Sequence, residues 1–282
     1  MKNALAILLV VLPLYAQQSS PPPAVLRIVC EDIKEGKGAA HEKTEAAFMQ
    51  AVAKANYPSH TLGLAAITGT SQACFLEGHA TFASIMHSEA ELDEPEFGAL
   101  DAADAELRTG SRTMLAVYRA DLSFGADRVN FEKMRFFSIE TVQVRPGHAD
   151  QHVELVKMLI AAEQRMGDTQ PVATYQVVSG APNGTFLVME PMASLKSMDE
   201  GQQRQQALFQ AMGDAGVKRY AQAVSEAIAS EESILFAVSP QMSYVQKEWI
   251  TADPQFWTPK PAEPAKPPAK TPSKPKAKSS SK

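Results

Sequence analysis

The sequence has little cysteine: its two residues of this type, Cys30 and Cys74, both lie in the first half of the chain. Neither belongs to a C-x-x-C pair or stands at metal-ligand spacing from a histidine, so the sequence predicts no metal site. An even number of cysteines is typical of a disulfide in an exported protein; two free cysteines in the core are the alternative. A Ser/His/Asp order, a phosphate-binding glycine loop and a zinc-binding helix motif are missing too, and no cofactor is predicted.

Long apolar runs are also missing, since no segment reaches the length of about 18 residues that crosses a bilayer as a helix. A short apolar run near the N-terminus is followed by Ala16 and a polar segment. This pattern is typical of a secretory signal peptide, which we assign to residues 1–16. We expect a secreted or periplasmic mature chain that begins near Gln17 and has no integral membrane segment, and the intact mass of the exported protein checks this.

Positive charge is scarce in the body of the chain and concentrated at its C-terminal end. Residues 258–282 contain seven Lys, seven Pro and one Glu, a net charge of +6. Subtracting this segment and Lys2 (+1) from the overall net charge of −5 leaves about −12 for the body. An acidic body argues against nucleic acid as a partner. The Lys/Pro segment is predicted to be disordered, either as a solvated appendage or in contact with the anionic cell envelope.

An internal repeat is the main feature that the sequence does have. Residues 33–41 recur at 144–152, and residues 118–124 recur at 238–244. Each copy reads as strand, helix, two strands, helix and strand, the order of a ferredoxin-like unit. The sequence therefore predicts an α+β fold of two tandem repeats. The predicted divisions are 24–124 for the first repeat, 135–245 for the second, and 246–257 for an aromatic C-terminal arm. This arm is expected to pack on the rest, and the alternative is that it caps the barrel or lines a ligand entrance.

The hydrophobic pattern predicts the following elements. Strands are expected at 25–33, 62–68, 72–79, 112–119, 137–144, 172–179, 184–190 and 233–239, and helices at 39–56, about 81–107, 148–166 and within 192–229. Alternation places Leu26, Ile28 and Cys30 on one face of the first strand. We expect this more uniformly apolar face to pack against the helices. The opposite, mixed faces of the two sheets are then expected to meet inside one chain, so that the protein is a monomer.

The turn between the first strand and helix of each copy is similar to a known pattern. A strand, a basic residue, a Pro-Gly or Glu-Gly turn and an amphipathic helix, as at Val142 to His148, resemble the opening of the dimeric α/β-barrel superfamily. The NIPSNAP-like and antibiotic-biosynthesis-monooxygenase-like branches are the most similar. The resemblance covers about residues 24–245 and implies an α/β barrel. The superfamily includes cofactor-independent oxygenases, haem-handling enzymes, isomerases and proteins without known activity.

Between the two sheets we expect a partly polar cleft that binds a small molecule. The predicted ligand-binding residues are Arg27, Glu31, Phe75, Glu77, Glu140, Phe186 and Glu190. In such a cleft, desolvation would raise the pKa of a glutamate toward the working range of a general base. The alternative is that these glutamates form ion pairs with Arg27 or lie exposed at the rim. Arg27 and Glu140 lie on central strands and are expected to face the opposite sheet.

Two further pairs of residues are predicted to matter. His41 and His152 hold the same position in the two copies, where they either transfer protons or fix the turn from strand to helix. Cys30 and Cys74 lie on strands that neighbour each other in this fold, so we expect a disulfide between them.

The predicted function is the binding of a small apolar or aromatic molecule between the sheets. A cofactor-independent monooxygenase acting in the same cleft is one alternative, and a structural cell-envelope protein is another.

Overall fold

The computed structural model describes residues 21–90 and 95–258. The predicted signal peptide and all of the Lys/Pro segment except Thr258 lie outside these residues. The strands are β1 (Val25–Ile33), β2 (Thr61–Ala66), β3 (Gln72–His79), β4 (Arg108–Tyr118), β5 (Phe136–Val144), β6 (Ala173–Ser179), β7 (Thr185–Met192) and β8 (Ile228–Val238). The helices are α1 (Gly38–Lys54), α2 (Phe82–Ala90), α3 (Pro95–Ala105), α4 (Ala149–Met166), α5 (Lys196–Asp199), α6 (Gly201–Ala227), α7 (Lys247–Ala252) and α8 (Pro254–Trp257).

The turns that lead into α1 and α4 require glycine. Gly36 and Gly147 have φ values of 72° and 84°, a left-handed conformation that side chains disfavour and glycine adopts readily. Each glycine turns the chain from the end of its strand onto the start of the helix that covers the sheet. These are the Glu-Gly and Pro-Gly turns on which the sequence resemblance rests.

All eight strands join into one closed antiparallel barrel, in the order β1-β3-β2-β8-β5-β7-β6-β4. The first four strands along the chain do not form a closed sheet of their own. Instead β2 pairs with β8, and β4 pairs with β6. These two seams close the barrel within one chain, and closure leaves no free sheet edge.

The predicted assignment of the sheet faces is wrong. Leu26, Ile28 and Cys30 point into the barrel together with Phe137 and Ile139. The mixed faces point outward and pack under the helices. The sheets meet at their edges rather than face to face. The interior of an eight-stranded barrel is filled by side chains or holds a small ligand, so the more apolar face lies inside.

The residues packed under the helices also show that the sheet faces are reversed relative to the prediction. Phe75 contacts a cluster that includes Met49 of α1, and Phe186 belongs to a cluster with Val153 and Val156 of α4. The helices thus cover the faces that were expected to form the cleft. Of the polar groups on these faces, Glu31 contacts His41 of α1, and Arg27 pairs with Glu77 of the neighbouring strand.

Element order and most strand bounds agree with the prediction. Both halves of the chain show strand, helix, two strands, helical segments and strand. The last strand of each half begins earlier than expected, at Arg108 and at Ile228. The first residues of both strands are mostly polar, so the hydrophobic pattern does not mark where the strands begin. That the halves are copies of one ancestral unit stays a prediction. Among the described residues, no helix is both long and apolar enough to cross a membrane.

Candidate functional site

The barrel contains a cavity at the end where β1, β2, β5 and β6 begin. Its volume is about 320 Å³, within the usual range for small-molecule sites. The lining is mainly apolar and rich in aromatic rings. The residues that reach it from the strands and the following segments include Leu26, Leu76, Phe131, Phe137, Ala173, Tyr175, Met189 and Trp249. We call this space the aromatic cavity.

Segments outside the strands shape the mouth of the aromatic cavity. Trp249 of α7 stacks at 6.1 Å on Phe131 and contacts Trp257 at 5.4 Å. The indole N–H of Trp257 donates a hydrogen bond of 2.9 Å to the carbonyl of Glu132. The C-terminal arm, whose packing the sequence predicted, is therefore fixed to the barrel and also lines its opening.

A few polar groups stand at the rim of the aromatic cavity. His60 stacks on Tyr244 at 5.1 Å, and burial lowers the pKa of its imidazole. The hydroxyl of Tyr175 donates a hydrogen bond of 3.1 Å to the carbonyl of Pro23, and burial raises the pKa of this phenol. A guest in the cavity would thus meet a neutral imidazole and a neutral phenol at neutral pH.

A second cavity, of about 330 Å³, opens at the other end of the barrel. Its wall carries the disulfide that joins Cys30 to Cys74, two residues that stand directly opposite each other on β1 and β3. The structure thus brings the predicted pair together, although inside the barrel and not on the helix side. Asp32, Arg112 and other polar residues surround this mouth, and Met189 lines both cavities.

A buried group of charged residues lies outside the barrel, between β1 and the helices α1 and α3. We call Glu31, His41, Glu45 and Asp104 the polar cluster. One possible ligand atom from each lies within 4.8 Å of the others, and each residue is at most 8% exposed. His41 Nε2 is 2.8 Å from Glu31 Oε2 and 3.7 Å from Asp104 Oδ1.

Two neighbouring residues hold the polar cluster in place. The Thr44 hydroxyl donates a hydrogen bond of 2.7 Å to Asp104 Oδ1. Arg108 contacts Glu31 and Asp101, and its Nε lies 3.5 Å from Asp104 Oδ2. Asp104 Oδ2 is buried and has no hydrogen-bond partner among the described residues. Glu31 also lines, with Arg108, a cavity of about 200 Å³ beside the polar cluster.

The electrostatics of the polar cluster follow from its burial. Burial and the negative charges of Glu31 and Asp104 raise the pKa of Glu45 to about 8. For His41, burial lowers the pKa, but the hydrogen bond to Glu31 and the nearby carboxylates outweigh burial and raise it above its ordinary value. Burial also raises the pKa of Asp104. These carboxylates thus lie in an environment that disfavours three uncompensated negative charges.

The second half of the barrel has no such cluster at the corresponding place. Ile33 pairs with Arg108, and Val144 pairs with Ile228 in the same register. Counting along the same elements, Glu31 corresponds to Val142, Glu45 to Val156, Asp104 to Val224 and Arg108 to Ile228, all four of the latter packed in one apolar cluster. The histidine alone is shared, as His41 and His152.

Four of the predicted ligand-binding residues, Arg27, Glu31, Phe75 and Glu77, line the cavity of about 200 Å³ outside the barrel, and the other three do not reach it. Arg27 pairs with Glu77 at 3.3 Å, and the hydroxyl of Tyr57 donates to the same carboxylate at 3.2 Å. Glu140 and Glu190 lie on the outer face of the second half, where burial raises the pKa of both. The expectation that Arg27 and Glu140 face each other across the barrel is wrong, because both point outward.

His152 and His41 differ in their surroundings. His152 is 2% exposed, its ring lies 4.6 Å from that of Phe186, and neither nitrogen has a hydrogen-bond partner among the described residues. Burial, with the charge of Arg119, lowers its pKa to about 4. The nitrogens of His152 thus bind no carbonyl that would fix the turn.

Sequence reasoning missed Glu45, Asp104 and Arg108. They lie on α1, α3 and β4, so no short motif connects them. The predicted repeat offered a signal for them, since at matching positions the first half of the chain has charged residues and the second half has Val or Ile.

Comparisons with known proteins show likeness in structure. No protein-family model matches the sequence, and no curated protein matches it. A crystal structure of an anthrone oxidase-like protein is similar over 76% of this chain and 91% of that chain, with 11% identity and a TM-score of 0.54. A proposed monooxygenase from Fusobacterium nucleatum is similar over 77% of this chain and 93% of that chain, with 11% identity and a TM-score of 0.51.

A variant of chlorite dismutase from Candidatus Nitrospira defluvii is similar over 82% of this chain and 95% of that chain, with 10% identity and a TM-score of 0.48. At identities this low a structural likeness carries the fold and not the activity. The chain has a mixed α+β fold with a closed eight-stranded antiparallel barrel, and its fold is similar to those of the anthrone oxidase-like and monooxygenase structures.

Proposed function

We propose that the protein binds a small aromatic or apolar molecule in the aromatic cavity. The observation that carries this proposal is an apolar space of about 320 Å³ inside the barrel mouth, lined by aromatic side chains with a few polar groups at its rim. Such a space excludes water from a flat guest while the rim orients one polar substituent. A ligand of two or three fused rings that carries one hydroxyl or carbonyl matches this lining.

The cavity favours ligand binding over a purely structural role, which has no need for an apolar opening. It also moves the proposed site away from the residues that the sequence predicted, since none of those seven lines the aromatic cavity. We propose further that the protein is a monomer and is exported from the cytoplasm. The Lys/Pro segment is proposed to contact the cell envelope.

Filling the aromatic cavity should abolish this binding. Ala173 is 6% exposed, lies inside the barrel and lines the cavity. In Ala173→Phe the new ring occupies the space of the guest, so affinity for a two-ring phenol such as naphthol should fall at least about tenfold. Quenching of Trp249 fluorescence, supported by calorimetry, measures the affinity.

The matched control is Thr141→Phe, which adds the same ring to the second cavity. Affinity at the aromatic cavity should stay as in the unchanged protein. Equal loss in both variants, or no loss in Ala173→Phe, contradicts the proposal. Absence of binding for every member of a panel of aromatic hydrocarbons, phenols and ketones contradicts it as well.

A second candidate is a cofactor-independent oxygenase that acts in the same cavity. The described activities of the similar structures, anthrone oxidase-like and monooxygenase, favour it. In such a reaction an activated CH₂ group and O₂ give a carbonyl group and water. His60, whose pKa burial lowers, would take the proton that activates the CH₂ group.

Oxygen consumption with anthrone separates the two candidates. An oxygenase should consume one O₂ per carbonyl formed, and His60→Gln should lose most of this turnover while it retains the binding of naphthol. Binding without oxygen consumption leaves the protein as a carrier or receptor of the aromatic molecule.

A further inference from the structure

The distances within the polar cluster are those of residues that bind one cation. Ligand atoms bonded to a metal at about 2.1 Å, and at right angles to each other, lie about 3 Å apart. His41 Nε2 and Glu31 Oε2 are separated by 2.8 Å, and His41 Nε2 and Asp104 Oδ1 by 3.7 Å. One ligand atom of Glu45 lies within 4.8 Å of the same atoms. Small side-chain movements would bring all four onto a common centre.

A buried carboxylate oxygen without a hydrogen bond points to the same conclusion. Asp104 is 2% exposed, and its Oδ2 accepts no hydrogen bond among the described residues. Arg108 Nε, at 3.5 Å, is too far for a good hydrogen bond. An unsatisfied buried carboxylate oxygen costs folding free energy unless another group binds it. A cation between Asp104 and the three other residues supplies that partner.

With its carboxylates ionised and His41 neutral, the polar cluster carries a net negative charge that a cation would offset. The three carboxylates of the polar cluster carry three negative charges when ionised, and Arg108 contributes one permanent positive charge. A divalent cation makes the sum neutral when His41 binds it through a neutral imidazole. Buried charge of one sign is otherwise strongly unfavourable.

The fold itself does not require the charged residues. At the corresponding place in the second half, Val142, Val156, Val224 and Ile228 close the same space between sheet and helices. Apolar residues in such a place are often at least as stabilising as buried ion pairs. The charged set in the first half therefore points to a function that packing does not explain.

The polar cluster also has room beside it. The adjoining cavity of about 200 Å³ is lined by Glu31 and Glu45 of the cluster. It offers a path for an ion, and space for water molecules that complete its coordination.

We propose that Glu31, His41, Glu45 and Asp104 bind one divalent transition-metal ion. Three carboxylates and one imidazole suit Mn²⁺, Fe²⁺ or Zn²⁺, whereas Mg²⁺ and Ca²⁺ prefer oxygen ligands throughout. The sequence predicted no metal site because none of the four ligands is a cysteine and they do not stand at a short, regular spacing. Here the four ligands come from β1, α1 and α3, and the site is separate from the aromatic cavity.

The test is metal binding by the purified full chain, without a histidine tag and after treatment with a chelator. Calorimetry with Zn²⁺ alone, and electron paramagnetic resonance with Mn²⁺ alone, should each give one site per chain. A tenfold excess of Mg²⁺ should not displace the bound ion. Two variants remove ligands: His41→Gln and Glu45→Val should each bind at least about 100-fold more weakly. Glu45→Val should still fold, because Val156 occupies the corresponding place in the second half.

The matched control is His152→Gln, which removes the corresponding histidine from the second half. It should bind the metal as the unchanged protein does. A chain that binds neither ion, or one whose affinity is unchanged in both Glu45→Val and His41→Gln while the variants remain folded, overturns the proposal. Equal loss in His152→Gln overturns it as well, since that result assigns binding to another place.

Discussion

Replacing Cys30 and Cys74 with alanine should lower the free energy of unfolding by about 4 kcal/mol. The disulfide joins residues 44 apart in sequence. In the chain-entropy account, a cross-link that closes a loop of this length removes conformational freedom from the unfolded chain worth about 4 kcal/mol. Unfolding in urea, followed by circular dichroism, measures the loss.

The unchanged protein in reductant is the control for this variant. It keeps both sulfur atoms in the barrel but lacks the bond, so its stability should fall by nearly the same amount. Equal stability with and without reductant contradicts the prediction, as do two free thiols in the unreduced, denatured protein. A loss in the alanine variant alone would mean that packing of the sulfur atoms, and not the cross-link, stabilises this end of the barrel.

Acid should destabilise the protein through His152. In the unfolded chain a histidine binds its proton near pH 6.5, whereas burial lowers the pKa of His152 in the folded protein to about 4. Stability from the neutral, buried ring is thus fully present above pH 6.5. It is lost as pH falls from 6.5 to 4, because the unfolded state binds the proton first. The loss reaches about 3 kcal/mol at pH 4.

The variant His152→Leu isolates this effect, since leucine has no proton to bind. The difference in unfolding free energy between His152→Leu and the unchanged protein should be constant above pH 7. Below pH 6.5 it should shift in favour of the variant, by about 3 kcal/mol at pH 4. Urea unfolding at pH 8, 6, 5 and 4 gives this curve. A difference that does not change with pH would show that the buried ring binds its proton as readily in the folded protein as in the unfolded chain, which contradicts the prediction.

The element order could be predicted from the sequence because alternation and helical spacing are local properties. The strand at 25–33 and the turn at Gly36 are examples, and the structure has both. Alternation also separates the two faces of a strand correctly. It does not say which face lies inside, since Leu26 would be buried equally well under a helix or in a barrel. That choice depends on how β2 and β8 pair across the chain.

The candidate sites were harder to predict for the same reason. The aromatic cavity is formed by strand starts and by Trp249, which are distant in sequence and meet only when the barrel closes. The polar cluster depends on Asp104 near the end of α3, a helix whose acidic residues suggest a solvated surface. Asp104 is 2% exposed because α3 packs against α1. Helix-to-helix contacts of this kind leave no trace in local composition.

A barrel assembled from two identical chains around a twofold axis presents every residue twice. In this chain the seams β2 to β8 and β4 to β6 join segments of one polypeptide, so nothing obliges opposite positions to be the same. Glu45 and Val156 hold equivalent positions in the two halves, and one is charged whereas the other is apolar. A symmetric pair with Glu45 at both positions would bury two charged sets between the barrel and its helices. In the single chain only the first half bears the free-energy cost of burying charged residues. The apolar residues of the second half can change independently and stabilise the barrel without altering the charged ones.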